Sequence, residues 1–421
     1  MNKIKWFSQD RFGMFIHWGL YSVCGGVWKN RKIKASYSEW LQNSERISRS
    51  SYARIAEQFN PTGFDAEQWV CEAQYAGMKY LVVTAKHHDG FCLWPTRCSP
   101  FNVMDATPYK RDILAELTNA CRKYDIKIGF YYSHWQDWDG SGGDVIGDLL
   151  EEEEYNRPTQ EEFEQYWQNK CLPQIGELIQ NYNPDLLWFD SWGTKSGIYM
   201  TSERQNELID YVQHLSSKCL VNSRICFDAP PERCDYLSMM DNTFPEKTYD
   251  KPWETSGTLN ESWAYHKLDF AWKSTEQLIK NLVHNASFGG NYQLNVGPTG
   301  DGLFQPAAIK RLREIGNWMR VNAQSIYNTQ AGPYRQQTWG TSTIRNLSNN
   351  ESELYLHLWN VTPGTAMYLS DIQANITSAV VLETNQDITV ETGSCGVWIH
   401  IPVELKHLSL PVIRLNLNRT V

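Results

Sequence analysis

The sequence predicts an α/β chain in which a (β/α)8-like barrel is followed by an all-β sandwich. Three observations carry this reading. Short apolar runs alternate with amphipathic stretches through most of the chain, and such alternation implies parallel strands joined by crossover helices. Eight such runs within about 320 residues favour a closed barrel over an open doubly wound sheet. Beyond Tyr327 the helical period vanishes and only alternating segments remain.

In chain order, residues 12–18, 80–86, 126–132, 185–190, 219–224, 236–241, 253–258 and 292–296 read as strands. Between them, 66–76, 113–124, 163–180, 205–215, 275–286 and 306–322 space their apolar residues at three and four, as helices packed on one face do. The glycine-rich, then acidic stretch 139–158 reads as a surface insertion in a βα loop, with Glu151 to Glu154 solvated. Residues 328–333 (NTQAGP) read as a linker. After it, 353–359, 366–369, 378–382, 396–401 and 412–417 alternate as strands of a sandwich. The expected division is a catalytic barrel over 1–330 and a β-sandwich over 331–421.

Composition narrows the function. The chain has 421 residues, 41% of them hydrophobic, and a net charge of −9. That length fits one large domain and a smaller one. The acidic balance argues against nucleic acid and anionic membrane, which both require basic patches. With 18 Trp and 22 Tyr the chain must bury surface, and such rings also pack on the apolar faces of sugars. No apolar run approaches the ~20 residues of a membrane span. The first ten residues contain no signal-peptide core, so a cytoplasmic location is expected. The ten Cys show neither C-x-x-C nor zinc spacing and read as reduced thiols. The Asn360-Val-Thr and Asn375-Ile-Thr sequons read as chance matches in that setting.

In a barrel the chemistry lies where strands end and βα loops converge. These ends carry His17, His87-His88-Asp89, Tyr131 with His134, Asp190, Arg224, Asp241, Glu254 and Asn295. Each has a plain alternative. Asp190 could cap a helix, Arg224 could pair a surface carboxylate, and the histidines could be core residues. His87 and His88 cannot both point inward from regular strand, so the pair belongs where strand turns into loop. A metal-dependent barrel hydrolase would need His-x-His on the first strand, where the chain has His17-Trp18. Aromatics beside each polar group suit sugar binding better. Paired carboxylates acting on bound sugar point to glycoside hydrolysis, with one group at the anomeric carbon and another protonating the leaving oxygen.

Five segments sharpen this: 11–22 (RFGMFIHWGLYS), 38–40 (SEW), 84–91 (TAKHHDGF), 187–190 (LWFD) and 253–255 (WET). Together they strongly resemble α-L-fucosidases of glycoside hydrolase family 29. The likeness runs from about residue 5 to 327. It implies a retaining exo-enzyme working through a fucosyl-enzyme intermediate on fucosylated oligosaccharides or glycoconjugates, without a cofactor. It also implies a site in which Asp190 is the nucleophile and His17, Glu39, Trp40, His87, His88, Tyr131 and Arg224 hold the sugar. Trp263 would pack on the C6 methyl. For the acid/base, Asp241 ranks first, Glu254 second and Glu246 third. A non-catalytic fucose-binding barrel is the rival of a different class, and a homo-oligomer is left open.

Overall fold

The computed structural model describes residues 3–145, 157–191, 196–348, 350–372 and 374–418. Eight parallel strands form one sheet: β1 (Phe12–Ile16), β2 (Tyr80–Lys86), β3 (Lys127–Tyr132), β4 (Leu186–Phe189), β5 (Leu220–Val221), β6 (Leu237–Ser238), β7 (Trp253–Thr258) and β8 (Asn291–Val296). Their order is β5-β4-β3-β2-β1-β8-β7-β6. A parallel bridge between Asn222 and Tyr236 joins the two outer strands and closes the ring.

The two-residue period of the strands separates two cores. Phe15, Val82, Tyr131, Trp188, Leu220 and Tyr236 pack together inside the barrel. Their neighbours Ile16, Val83, Phe130 and Leu187 face outward into the larger cluster beneath the helices. Because both faces are buried, β2 reads as a nearly unbroken apolar run. Deleting one such large side chain costs about 2–5 kcal/mol through lost transfer energy and the cavity left behind.

Most of the barrel helices begin on side-chain caps. Asp65 accepts from the Gln68 amide ahead of α1 (Ala66–Tyr75), and Asp112 from the Ala115 amide ahead of α2 (Ile113–Lys123). Thr159 and Glu162 form a capping box ahead of α3 (Gln160–Tyr166). The single helix expected over 163–180 is interrupted. A π turn, Trp167–Cys171, separates α3 from α4 (Leu172–Tyr182). Pro173, just past it, has no N–H for an ordinary helical bond. α5 (Ser202–Leu215), α6 (Thr275–Ser287) and α7 (Pro306–Asn322) complete the ring.

Two expected strands are much shorter than the apolar pattern suggests. Residues 219–224 and 236–241 contract to β5 and β6, because side chains take over the lateral bonding there. The Asn222 carboxamide accepts from Phe189 N–H at 3.0 Å and donates to Phe189 C=O at 2.9 Å, and Ser223 Oγ accepts from the Ser238 amide at 3.0 Å. Arg224 therefore sits in a 3-10 turn (Ser223–Ile225), and Asp241 in a tight turn fixed by Thr243 N–H to Met240 C=O at 3.0 Å.

After the barrel the pairing becomes antiparallel. Strands β9 (Gln330–Ala331), β10 (Gly340–Asn346), β11 (Glu351–Leu358), β13 (Asn375–Val381) and β16 (Val412–Asn418) form one sheet. Strands β12 (Ala366–Ser370), β14 (Val390–Thr392) and β15 (Gly396–His400) form another. Leu354, Leu356, Ile413, Leu369, Val397 and Ile399 fill the space between them. The stretch expected as a linker is tied in, since β9 pairs with β10. Thr343 Oγ1 donates to Ser325 C=O at 2.6 Å, and Trp318 Nε1–H to Leu410 C=O at 3.0 Å. These bonds dock the second unit on the first.

Among the described residues no helix is long and apolar enough to cross a membrane. All ten cysteines are unbridged. Most of the acidic insertion, Glu151 to Glu154 included, lies outside the described residues.

Candidate active site

The C-terminal strand ends surround a cavity of about 390 Å³. His17, Glu39, Trp40, His87, His88, Tyr131, Asp190, Arg224, Asp241 and Trp263 all line it. Ten positions expected from sequence, spread over 247 residues of chain, therefore meet in one place. Both His87 and His88 reach it because β2 ends at Lys86, and their rings lie 4.3 Å apart.

Asp190 follows β4 and is buried at the inner part of the cavity. Arg224 Nη2 lies 2.7 Å from its Oδ1, and the Tyr131 hydroxyl donates to Oδ2 at 2.8 Å. Burial pushes this carboxyl up; the Arg224 charge and the Tyr131 hydrogen bond pull it back, and the balance remains raised. The same guanidinium donates through Nη1 to Asp241 Oδ1 at 2.7 Å. One arginine thus bridges a buried carboxylate and a partly exposed one, whose side chain is 42% exposed.

Trp188 supports this group. Its indole stacks on the Tyr131 ring at 5.5 Å, and the Arg224 guanidinium lies 4.9 Å above it. Glu254 explains why the indole is held. Trp188 Nε1–H and Ser238 Oγ both donate to Glu254 Oε1 at 2.6 Å. Glu254 is also the residue ranked second for the acid/base. Glu254 is the second residue of β7, at the N-terminal end of the strand, so it lies buried below the cavity rather than on its lining. Burial pushes it up to about 7. Glu246 also lies off the lining, exposed on the surface.

His17 and His88 are fixed as neutral acceptors. Asn295 Nδ2 donates to Trp263 C=O at 2.6 Å, which leaves its Oδ1 to accept from His17 Nδ1–H at 2.7 Å. Ser133 donates to Gln136 C=O at 2.8 Å, so its oxygen accepts from His88 Nδ1–H at 2.7 Å. In both rings Nε2 is then the bare nitrogen. Burial pushes His17 down to about 4, and His87 and His88 well below their ordinary value. Unprotonated ring nitrogens of this kind can accept hydrogen bonds from hydroxyl groups.

Sequence reading missed Phe15, Ser36, Tyr37, Trp188, Phe227, Met240 and Ser256 on the lining. Phe15 and Trp188 stand two residues before His17 and Asp190, so strand alternation placed them on the same inward face. The others lie on loops, apart from Ser256, and carry no such signal.

Glu39 sits in the 3-10 turn Ser38–Trp40, and its Oε2 accepts from the Ala264 amide at 3.3 Å. Burial, with the Asp241 and Asp190 charges adding, pushes it up to about 8. Below that pH it is a neutral acid able to donate; above it, a further negative charge stands in the cavity beside Asp190. The kcat/KM profile is therefore expected to fall with an apparent pKa near 8, and Glu39→Gln should abolish that limb. The unfolded carboxyl loses its proton near 4.5 and the folded one near 8, so the native state binds more protons between those values. Its contribution to stability is complete below the first and is lost as pH rises through the second. Melting at pH 6 and pH 8.5 should show a larger fall for the wild type than for Glu39→Gln.

Residues 1–324 match the family model described as alpha-L-fucosidase. The chain belongs to the α-L-fucosidase family. Human plasma alpha-L-fucosidase is 32% identical over 356 residues, covering 80% of this chain and 73% of that protein. A Bacteroides thetaiotaomicron GH29 α-L-fucosidase, solved as a trapped covalent intermediate with 2-fluoro-fucosyl fluoride, is 29% identical with a TM-score of 0.86, covering 99% and 96% of the two chains. A Lactobacillus casei α-L-fucosidase, solved with α-L-fucose product, is 34% identical with a TM-score of 0.69, covering 77% of this chain and all of that one. This member of the α-L-fucosidase family is thus a retaining glycoside hydrolase with the family's barrel and a β-rich C-terminal unit.

Proposed function

We propose that this chain removes terminal α-L-fucose from glycans by double displacement, with Asp190 as nucleophile and Asp241 as acid/base. The observation that carries the reading is the Asp190–Arg224–Asp241 bridge: the inner carboxylate is ion-paired and aimed into the cavity, and the outer one is partly open to solvent. Asp190 attacks the anomeric carbon while Asp241 gives its proton to the leaving oxygen. Asp241 then takes a proton from the water that opens the fucosyl ester. The bare Nε2 atoms of His17 and His88 accept from sugar hydroxyls, and the neutral Glu39 carboxyl donates to one. Exo action agrees with a cavity that ends on the packed barrel interior, where Phe15 and Trp188 join Val82 and Leu186. No step calls for a metal or a cofactor.

The deciding experiment follows 4-nitrophenyl α-L-fucoside by proton NMR and then treats the enzyme with 2-fluoro-fucosyl fluoride. First-formed α-fucose and a labelled peptide containing Asp190 are expected. A β-configured first product, or a label on another residue, would overturn the assignment.

Trp263 packs against the His17 ring at 5.2 Å on the cavity wall. An apolar wall there rewards the C6 methyl of fucose. Trp263→Ala should cut kcat/KM for the fucoside by about 10–200-fold, and should reduce it far less for the same pyranoside lacking C6. An equal loss on both substrates would remove Trp263 from methyl recognition.

A further inference from the structure

Behind the cavity wall lies a cluster of four charges that the reaction above does not use. Lys86 Nζ is 2.7 Å from Asp137 Oδ2. Lys170 Nζ is 3.0 Å from that same oxygen and 2.6 Å from Asp139 Oδ2. The Lys86 and Asp137 side chains are fully buried, Lys170 is 5% exposed and Asp139 24%. Tyr166 Oη accepts from Lys86 at 3.1 Å, and Ser141 Oγ from Lys170 at 2.9 Å. Burial pushes the Asp137 carboxyl up, but the Lys170 and Lys86 ammonium groups outweigh it and hold that carboxyl below its ordinary value.

Burying charge is a poor route to stability, since apolar residues of similar volume often serve as well. What such a cluster can provide is a fixed arrangement. This one ties three elements together: the end of β2, the loop after β3, and the π turn between α3 and α4. The backbone makes room for it. A Cβ on Gly90, where φ is +80°, would stand 2.7 Å from Asp137 Oδ1 and 2.6 Å from Asp139 Cβ. One on Gly143 would stand 2.5 Å from Asp137 Cβ.

Between the two clamped aspartates stands Trp138, fully buried. Its N–H donates to His88 C=O at 2.8 Å. Its ring centre lies 5.5 Å from that of His88 and 5.2 Å from that of Trp40, both on the cavity lining. We propose that Lys170 is a positioning residue for substrate binding: by gripping the aspartates on either side of Trp138, it sets that indole against His88 and Trp40 and so fixes the sugar-facing wall of the cavity. The inference rests on the fucosidase reading of the site.

The test compares full-length wild type with Lys170→Met and Lys170→Arg. In Lys170→Met the Lys86–Asp137 pair persists and Asp139 can reach solvent, so the change leaves no stranded charge in the core. Its KM for 4-nitrophenyl α-L-fucoside and Ki for free fucose are expected to rise together, with kcat/KM falling about 10–100-fold, as misplacement of binding groups does. Lys170→Arg, which keeps the charge, should recover most of that loss. A stabilising role alone would lower the melting temperature and leave KM and Ki unchanged well below it, and that result overturns the proposal. Should Lys170→Met fail to fold, Asp139→Asn decides: a smaller loss in the same constants supports the inference, and wild-type constants overturn it. An inactive wild type would instead sink the fucosidase reading itself.

Discussion

Replacing Asp190 by glycine is expected to lower kcat on the order of 10⁴-fold or more, the scale of losing a covalent nucleophile. The fold should survive, because the backbone at this position is held independently: Trp135 Nε1–H donates to Asp190 C=O at 2.9 Å. The space vacated by the carboxylate admits a small anion. Azide should then attack the anomeric carbon from the Asp190 side and restore turnover, giving a fucosyl azide of inverted configuration. Substantial turnover without azide would remove Asp190 from the mechanism.

Asp241→Asn should separate the two halves of the reaction. Losing a general acid costs about 10²–10⁴-fold where the leaving group needs a proton, and little where it does not. Fucosyl-disaccharides should therefore slow far more than 4-nitrophenyl fucoside, whose phenolate departs unaided. With the activated substrate the fucosyl–Asp190 ester should accumulate, seen as a burst of nitrophenol. Azide attacks that ester from the face opposite Asp190, so the rescued product keeps the α configuration. Opposite azide anomers from the two variants form a control that no shared folding defect can produce. Equal slowing of good and poor leaving groups would place the proton donor elsewhere, and neither Glu254 nor Glu246 lines the cavity to take over.

Most of the barrel was legible because strand and helix periods are local. β2 and β7 have the bounds expected from the apolar runs, as does α7. The failures are places where side chains replace backbone. Nothing in residues 219–224 reveals that the Asn222 carboxamide will bond to Phe189 and cut the strand short. Strand membership also does not reveal depth. Glu254 and Ser256 share one strand and one face, yet only Ser256 reaches the lining. That difference is set by the register of β7 against β8, where Glu254 pairs with Asn291 at the start of its neighbour. The resemblance brought Glu39 and Trp40 into the site, although their turn belongs to no barrel strand. The rim residues Phe227 and Met240 had no comparable signal, because loop conformation follows from contacts distant in sequence.

The shared arginine has a consequence for how the two half-reactions are timed. A single counter-charge serves two anions in turn. On the proposed mechanism, Asp190 ceases to be an anion when it becomes an ester, and Asp241, having just surrendered its proton, becomes one. Arg224 touches both, so that mechanism would hand the ion pair across the guanidinium without either side chain travelling. The outer carboxylate is thereby secured in place at the moment it must draw a proton from water, and hydrolysis of the ester returns the attraction to where it began.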